Sequence, residues 1–124
     1  MSKTALVVDD SMLIRHTVCR FLETRGFQVE SATNGSEALE MMGSVRPDII
    51  VTDLQMPKMD GSALIHALQA SPETCAIPIV VLARKGASVP QFGEHVRSVI
   101  FKDIDIASQL SRALESVLPR SAPA

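Results

Sequence analysis

The sequence predicts an α/β fold, a doubly wound parallel sheet of five strands with helices on both faces. Three observations lead there. Short, nearly unbroken apolar runs recur at Thr4–Asp9, Asp48–Asp53 and Ile77–Ala83, the signature of strands buried on both faces. Segments with helical periodicity alternate with them. Gly, Pro and Asn-Gly punctuation separates the two kinds of segment, and strand–helix alternation of this sort implies parallel crossover units.

Taken in order, Thr4–Asp9 is the first strand. Ser11 is placed to cap a helix from Met12 to Arg25, with Ile14, Val18, Phe21 and Leu22 on one face and Gly26 at its end. Phe27–Ala32 alternates as a strand. Asn34-Gly35 reads as a turn, and Ser36 opens a short helix to Met42. Arg46-Pro47 breaks the chain before Asp48–Asp53. Gly61–Ala70 is a helix closed by Ser71-Pro72, and Ile77–Ala83 is the fourth strand. Gly86, Pro90 and Gly93 weaken any helix between Arg84 and Glu94. Arg97–Phe101 is the last strand. Ile104–Leu118 is an amphipathic helix with Ile106, Leu110, Ala113 and Val117 on one face. Residues 1–118 form one domain, and 119–124 read as a tail or the start of a linker.

The 124 residues suit a single domain that folds without disulfides or a structural metal. An apolar content of 46% and a charged content of 21% are those of a globular chain. A net charge of −2 with no basic run gives no sign of nucleic-acid binding. Neither a membrane-spanning run nor a leader pattern is visible, so a cytoplasmic location is expected. Cys19 and Cys75 lack metal-type spacing and are expected to be reduced thiols. His16, His66 and His95 are scattered and show no ligand spacing.

In doubly wound sheets the working site lies at the carboxyl ends of the strands. That rule gathers Asp9, Asp10, Asp53 and Lys102, together with Ala83, at one edge. Three crowded acids repel one another unless a cation is present. Oxygen-only donors suit Mg²⁺ rather than zinc. A single Asp at a strand end is often just a loop or cap residue. Several at one edge make that reading much weaker.

The segments Val7-Val8-Asp9-Asp10-Ser11, Asp48 through Gly61 with its Asp-x-x-Met-Pro-x-Met-Asp-Gly pattern, and Ile100-Phe101-Lys102 resemble the receiver domains of two-component response regulators. The resemblance runs from Thr4 to Leu118. It implies that Asp53 is the phosphoacceptor nucleophile. It implies that Asp10, Asp53 and the backbone carbonyl of Gln55 ligate Mg²⁺, with Asp9 acting largely through water. Lys102 would pair with the phosphoryl oxygens. The implied partners are a sensor histidine kinase or phosphotransfer protein, and a downstream protein or an output domain.

Three departures from the family pattern stand out. Ala83 occupies the position where receivers carry Thr or Ser, and Arg84 follows where a small residue is usual. Val99 stands where the family's switch aromatic lies, with Phe101 on the same side of the strand. Asp103 replaces the proline that usually follows the lysine, so a trans bond is expected there. These changes leave a second reading open, a receiver-like interaction module that works without phosphate. A third, an aspartyl-phosphate hydrolase, would need an acid where Gln55 stands.

Overall fold

The computed structural model describes residues 3–54, 61–84, 96–102 and 105–117. Among these, the elements are β1 (Lys3–Val8), α1 (Met12–Thr24), β2 (Phe27–Ala32), α2 (Gly35–Met41), β3 (Ile49–Asp53), α3 (Gly61–Ala70), β4 (Ile79–Ala83), β5 (Val96–Phe101) and α4 (Ile106–Val117). The five strands form one parallel sheet in the order β2-β1-β3-β4-β5. This is the expected fold class. The direction of winding reverses between β1 and β3, which makes the carboxyl end of that pair the topological switch point.

Strand residues alternate between two cores, because successive side chains leave a strand on opposite faces. Val7, Val51, Leu82 and Ile100 join Val18 and Leu22 of α1 and Leu110 and Ala113 of α4. Val8, Ile50, Val81 and Ala83 join Ala38 of α2 and Leu64, Ile65 and Leu68 of α3. Both faces being covered explains why β3 and β4 are buried along their whole length and read as unbroken apolar runs. Among the described residues, no helix is long and apolar enough to cross a membrane. Cys19 and Cys75 are free thiols.

Several boundaries differ from the sequence expectation by one or two residues. Asn34 is not a turn residue but the N-cap of α2, its side chain accepting from Glu37 N at 2.9 Å. Glu37 reaches back to the Thr33 N–H, also at 2.9 Å. Together these satisfy donors that a helix start leaves unpaired, so the helix can begin at Gly35. β4 starts at Ile79 rather than Ile77, since Pro78 has no N–H to enter the ladder. β5 starts at Val96, where Ile79 pairs with it across an irregular register. Ser11 caps α1 as expected, and Gly26 ends that turn with φ +90°, a left-handed conformation open to glycine. The segment containing Gly86, Pro90 and Gly93, together with Asp103 and the tail beyond Leu118, lies outside the described residues.

Gly61 begins α3 against the end of β3. Its N–H donates to Leu54 O at 2.8 Å, which stitches together the two ends of the Gln55–Asp60 segment. A Cβ there would overlap the Asp53 carbonyl oxygen and lie 2.8 Å from Leu54 Cα. The obstructing atoms are backbone and cannot swing aside. Gly61→Ala is therefore expected to destabilise the protein by about 1–3 kcal/mol, as overpacking does. Urea unfolding of the two proteins measures this, and an unchanged midpoint would show that the backbone yields freely.

Candidate functional site

Asp9, Asp53 and Lys102 each stand two residues beyond a strand residue of the α1/α4 core, namely Val7, Val51 and Ile100. Their side chains therefore leave the sheet on one side. Backbone ties set their height along the strands. Asp9 N donates to Ala32 O at 3.1 Å, Leu54 N to Leu82 O at 3.3 Å, and Lys102 N to Ala83 O at 2.8 Å.

The result is a compact charged cluster. Carboxylate oxygens of Asp9, Asp10 and Asp53 lie within 4.8 Å of one another. Asp9 and Asp53 are buried and Asp10 is exposed. Lys102 Nζ is 2.8 Å from Asp53 Oδ2 and 3.0 Å from Asp9 Oδ2. The Asp9–Lys102 contact is off the hydrogen-bonding direction, so the buried Asp9 Oδ2 has charge contact but no hydrogen-bond donor. Asp9 Oδ1 accepts the Ser11 N–H at 2.8 Å, and Arg15 Nη1 donates to the Asp9 carbonyl, also at 2.8 Å.

Burial pushes the Asp9 carboxyl above its ordinary value. The Ser11 N–H and the nearby ammonium pull it down without cancelling that effect, and the Asp53 charge adds to it. For Lys102, burial works against the charged form, but its close contacts with Asp53 and Asp9 outweigh it and hold the ammonium above 10.5.

Three carboxylates facing one ammonium leave two negative charges uncompensated. The donor set is all oxygen, and its 4.8 Å limit is slightly wider than the about 4.2 Å between opposed ligands of an octahedral ion at ~2.1 Å bond lengths. The buried oxygen lacking a donor points the same way. The cluster is therefore able to hold a hard divalent cation. The remaining expected ligand, the Gln55 carbonyl, lies outside the described residues.

Of the atypical positions, Ala83 is buried in the α2/α3 core and offers no hydroxyl. Val99 and Phe101 both pack on that same core, as strand parity requires. Arg84 is exposed and makes no ion pair among the described residues.

Sequence reasoning missed three features. Two of these are the Arg15 hold on the Asp9 carbonyl, which no motif announces, and the backbone close approach that makes Gly61, the last residue of the quoted pattern, intolerant of a side chain. The third is Gln109, whose side-chain amide bonds both backbone groups of Phe101.

The family model of the response regulator receiver domain matches residues 5–114. The chain is 41% identical over 85 residues to the response regulator MprA of Mycobacterium ulcerans, covering 68% of this chain and 36% of that relative. It thus spans little more than a third of the curated relatives it matches. The chemotaxis response regulator CheY4 of Vibrio cholerae superposes with a TM-score of 0.82 at 28% identity, covering 95% of this chain and 100% of that one. The receiver domain of a signal transduction histidine kinase from Syntrophus aciditrophicus gives a TM-score of 0.77 at 26% identity, covering 99% of this chain and 97% of that one. The chain belongs to the response regulator receiver family, the class whose members serve phosphorelay signalling.

The raised Asp9 pKa carries a pH dependence. A carboxyl that binds its proton more tightly when folded makes stability fall as pH rises from 3.8 through its folded pKa. At neutral pH the Asp9 charge therefore costs the metal-free protein stability. Asp9→Asn should melt higher than wild type at pH 7 in chelator, and the gain should shrink as pH falls toward 4. Thermal melts across that range check this, and a variant that melts lower at pH 7 would show that the Lys102 contact matters more than burial.

Proposed function

We propose that this chain is the phosphoacceptor module of a phosphorelay, with Asp53 receiving the phosphoryl group. The observation that carries the reading is the meeting of Asp9, Asp10, Asp53 and Lys102 at the switch point of the sheet. An Asp53 carboxylate oxygen bonds to phosphorus as the bond from phosphorus to a donor histidine nitrogen breaks. The donor imidazole carries a proton on its other ring nitrogen and so leaves neutral, and Asp53 becomes an acyl phosphate. Such transfer asks for positioning and for positive charge around the phosphoryl oxygens.

Asp10, Asp53 and the Gln55 carbonyl would hold Mg²⁺, with Asp9 assisting through water. The bound ion supplies positive charge to the phosphoryl oxygens. Lys102, already against Asp53 Oδ2, needs only a short shift to reach an oxygen added there. Asp9 holds Lys102 from its other side, and burial of Asp53 limits the water that competes as acceptor. Catalysis is confined to the chain's own phosphorylation and slow hydrolysis. The purpose is to bias a protein-binding surface.

The donor is a sensor histidine kinase or a phosphotransfer protein in the cytoplasm. Met12 and Leu13 support a docking role at the start of α1, being 75% and 73% exposed directly after the acid pair. The receiver unit is residues 1–118, and 119–124 are a tail or the start of a linker to an output domain. The output is a downstream protein or that domain. The phosphate-independent reading is not favoured, because the acids and the lysine are present and assembled.

Treatment with a small phosphodonor should add one phosphoryl mass to the wild type in the presence of Mg²⁺ and none to Asp53→Asn. Chelator should abolish the labelling. Intact mass spectrometry reads it, and equal labelling of both proteins would place the acceptor elsewhere.

Ala83 and Val99 set a further expectation. With no hydroxyl to draw toward the phosphoryl group and no ring to follow it, coupling to the β4–β5 face loses a charged hydrogen bond worth about 1.5–3 kcal/mol. Amide shift mapping with beryllofluoride should show changes at Val96–Phe101 that grow in Ala83→Thr. If Arg84 supplies the missing donor, the changes are instead already large in wild type and collapse in Arg84→Ala.

A further inference from the structure

The peptide unit joining Phe101 to Lys102 is held on both edges. Its N–H, belonging to Lys102, donates to Ala83 O at 2.8 Å. Its carbonyl, belonging to Phe101, accepts from Gln109 Nε2 at 2.9 Å. Gln109 Oε1 also accepts the Phe101 N–H at 3.0 Å. β5 is an edge strand, so the outward backbone groups of Phe101 have no neighbouring strand to pair with. The Gln109 amide presents an acceptor and a donor side by side, as a further strand would. Nε2 donates to Asp105 O as well, at 3.2 Å, so turning the amide over would set its oxygen against two carbonyls.

We propose that Gln109 is a positioning residue for Lys102: by clamping the Phe101–Lys102 peptide it aims the lysine side chain at Asp53 and Asp9. With that peptide plane locked, Lys102 Cα is fixed in place and only rotation about its N–Cα bond remains before its flexible stem begins. The ammonium then arrives between two carboxylates at 2.8 and 3.0 Å. Gln109 lies one turn into α4, so the same clamp ties the start of that helix to the end of β5. The effect on rate rests on Asp53 being the phosphoacceptor. The aiming of Lys102 does not.

The test uses two readouts. Lysine-labelled NMR of the metal-free protein reports the Lys102 Cε and Nζ resonances, assigned through Lys102→Arg. Phosphodonor labelling reports the rate at Asp53 for Gln109→Leu in the wild-type and Lys102→Ala backgrounds, a double-mutant cycle. In Gln109→Leu the Lys102 signals should move and broaden, and labelling should slow by about tenfold, the scale of a small misplacement. In Lys102→Ala the added Gln109→Leu should slow labelling no further. If Gln109→Leu loses its cooperative melt, Gln109→Glu carries the same comparison, since it keeps the acceptor for Phe101 N–H and loses the donor to Phe101 O and Asp105 O. Unmoved Lys102 resonances overturn the proposal, as does equal slowing in both backgrounds, which would mark a general structural role. If the wild type does not label at all, the phosphoacceptor reading fails, and the resonances alone decide the clamp.

Discussion

Lys102 meets two buried carboxylates, those of Asp9 and Asp53. Its ammonium lies within 3.0 Å of both Asp9 and Asp53, and the third acid, Asp10, faces solvent beside them. An isolated ionised group is costly to bury, and a buried pair is tolerated only with close partners. The site therefore depends on bringing β5 to the same height as β1 and β3. β4 does this, pairing Asp53 with Leu82 on one side and Phe101 with Ala83 on the other. A slip of one residue in either pairing would turn Lys102 or Asp53 toward the opposite face.

The charge balance of the cluster also gives the fold its purpose. One ammonium against three acids is a deficit that a divalent cation repairs. On the proposed reading, a phosphoryl group on Asp53 would add negative charge at the same point. The three acids are crowded, and a bound cation would relieve their repulsion. Functional sites commonly hold strain of this kind, which the surrounding core offsets. Here the offset comes from strands buried on both faces and from α1 and α4 packed over the side of the sheet where the acids emerge.

Much of this was legible in the sequence because it rests on periodicity. The apolar runs of β1, β3 and β4 marked buried parallel strands, and the carboxyl-end rule then gathered Asp9, Asp10, Asp53 and Lys102. Boundaries set by capping were less legible. Asn34-Gly35 looks like a turn until Glu37 is seen to bond Thr33 N, a reciprocal contact that depends on side-chain direction. Gln109 was invisible for a different reason. On an amphipathic helix a glutamine reads as a solvent-facing residue, and only the tertiary placement of α4 beside the β5 edge turns its amide into a backbone partner.

The atypical residues fit a consistent physical picture. Ala83 and Val99 both belong to the α2/α3 core, on the face opposite to the one from which Asp53 and Lys102 emerge. A hydroxyl at position 83 could link the two faces by leaving that core for a phosphoryl oxygen, and an aromatic at 99 could fill the space it vacates. Neither is present at those two positions, and the ring that does pack on this core, Phe101, lies two residues further along β5. A modification shifts a two-state equilibrium only by its differential interaction with the two states. The remaining route from Asp53 to β5 then runs through Lys102 itself. On the proposed reading its ammonium would exchange a carboxylate for a phosphoryl oxygen, and its backbone is tied to Ala83 on one side and, through Phe101, to Gln109 of α4 on the other. On the proposed reading of Asp53, its link to the β5–α4 surface would be a lysine and a peptide plane.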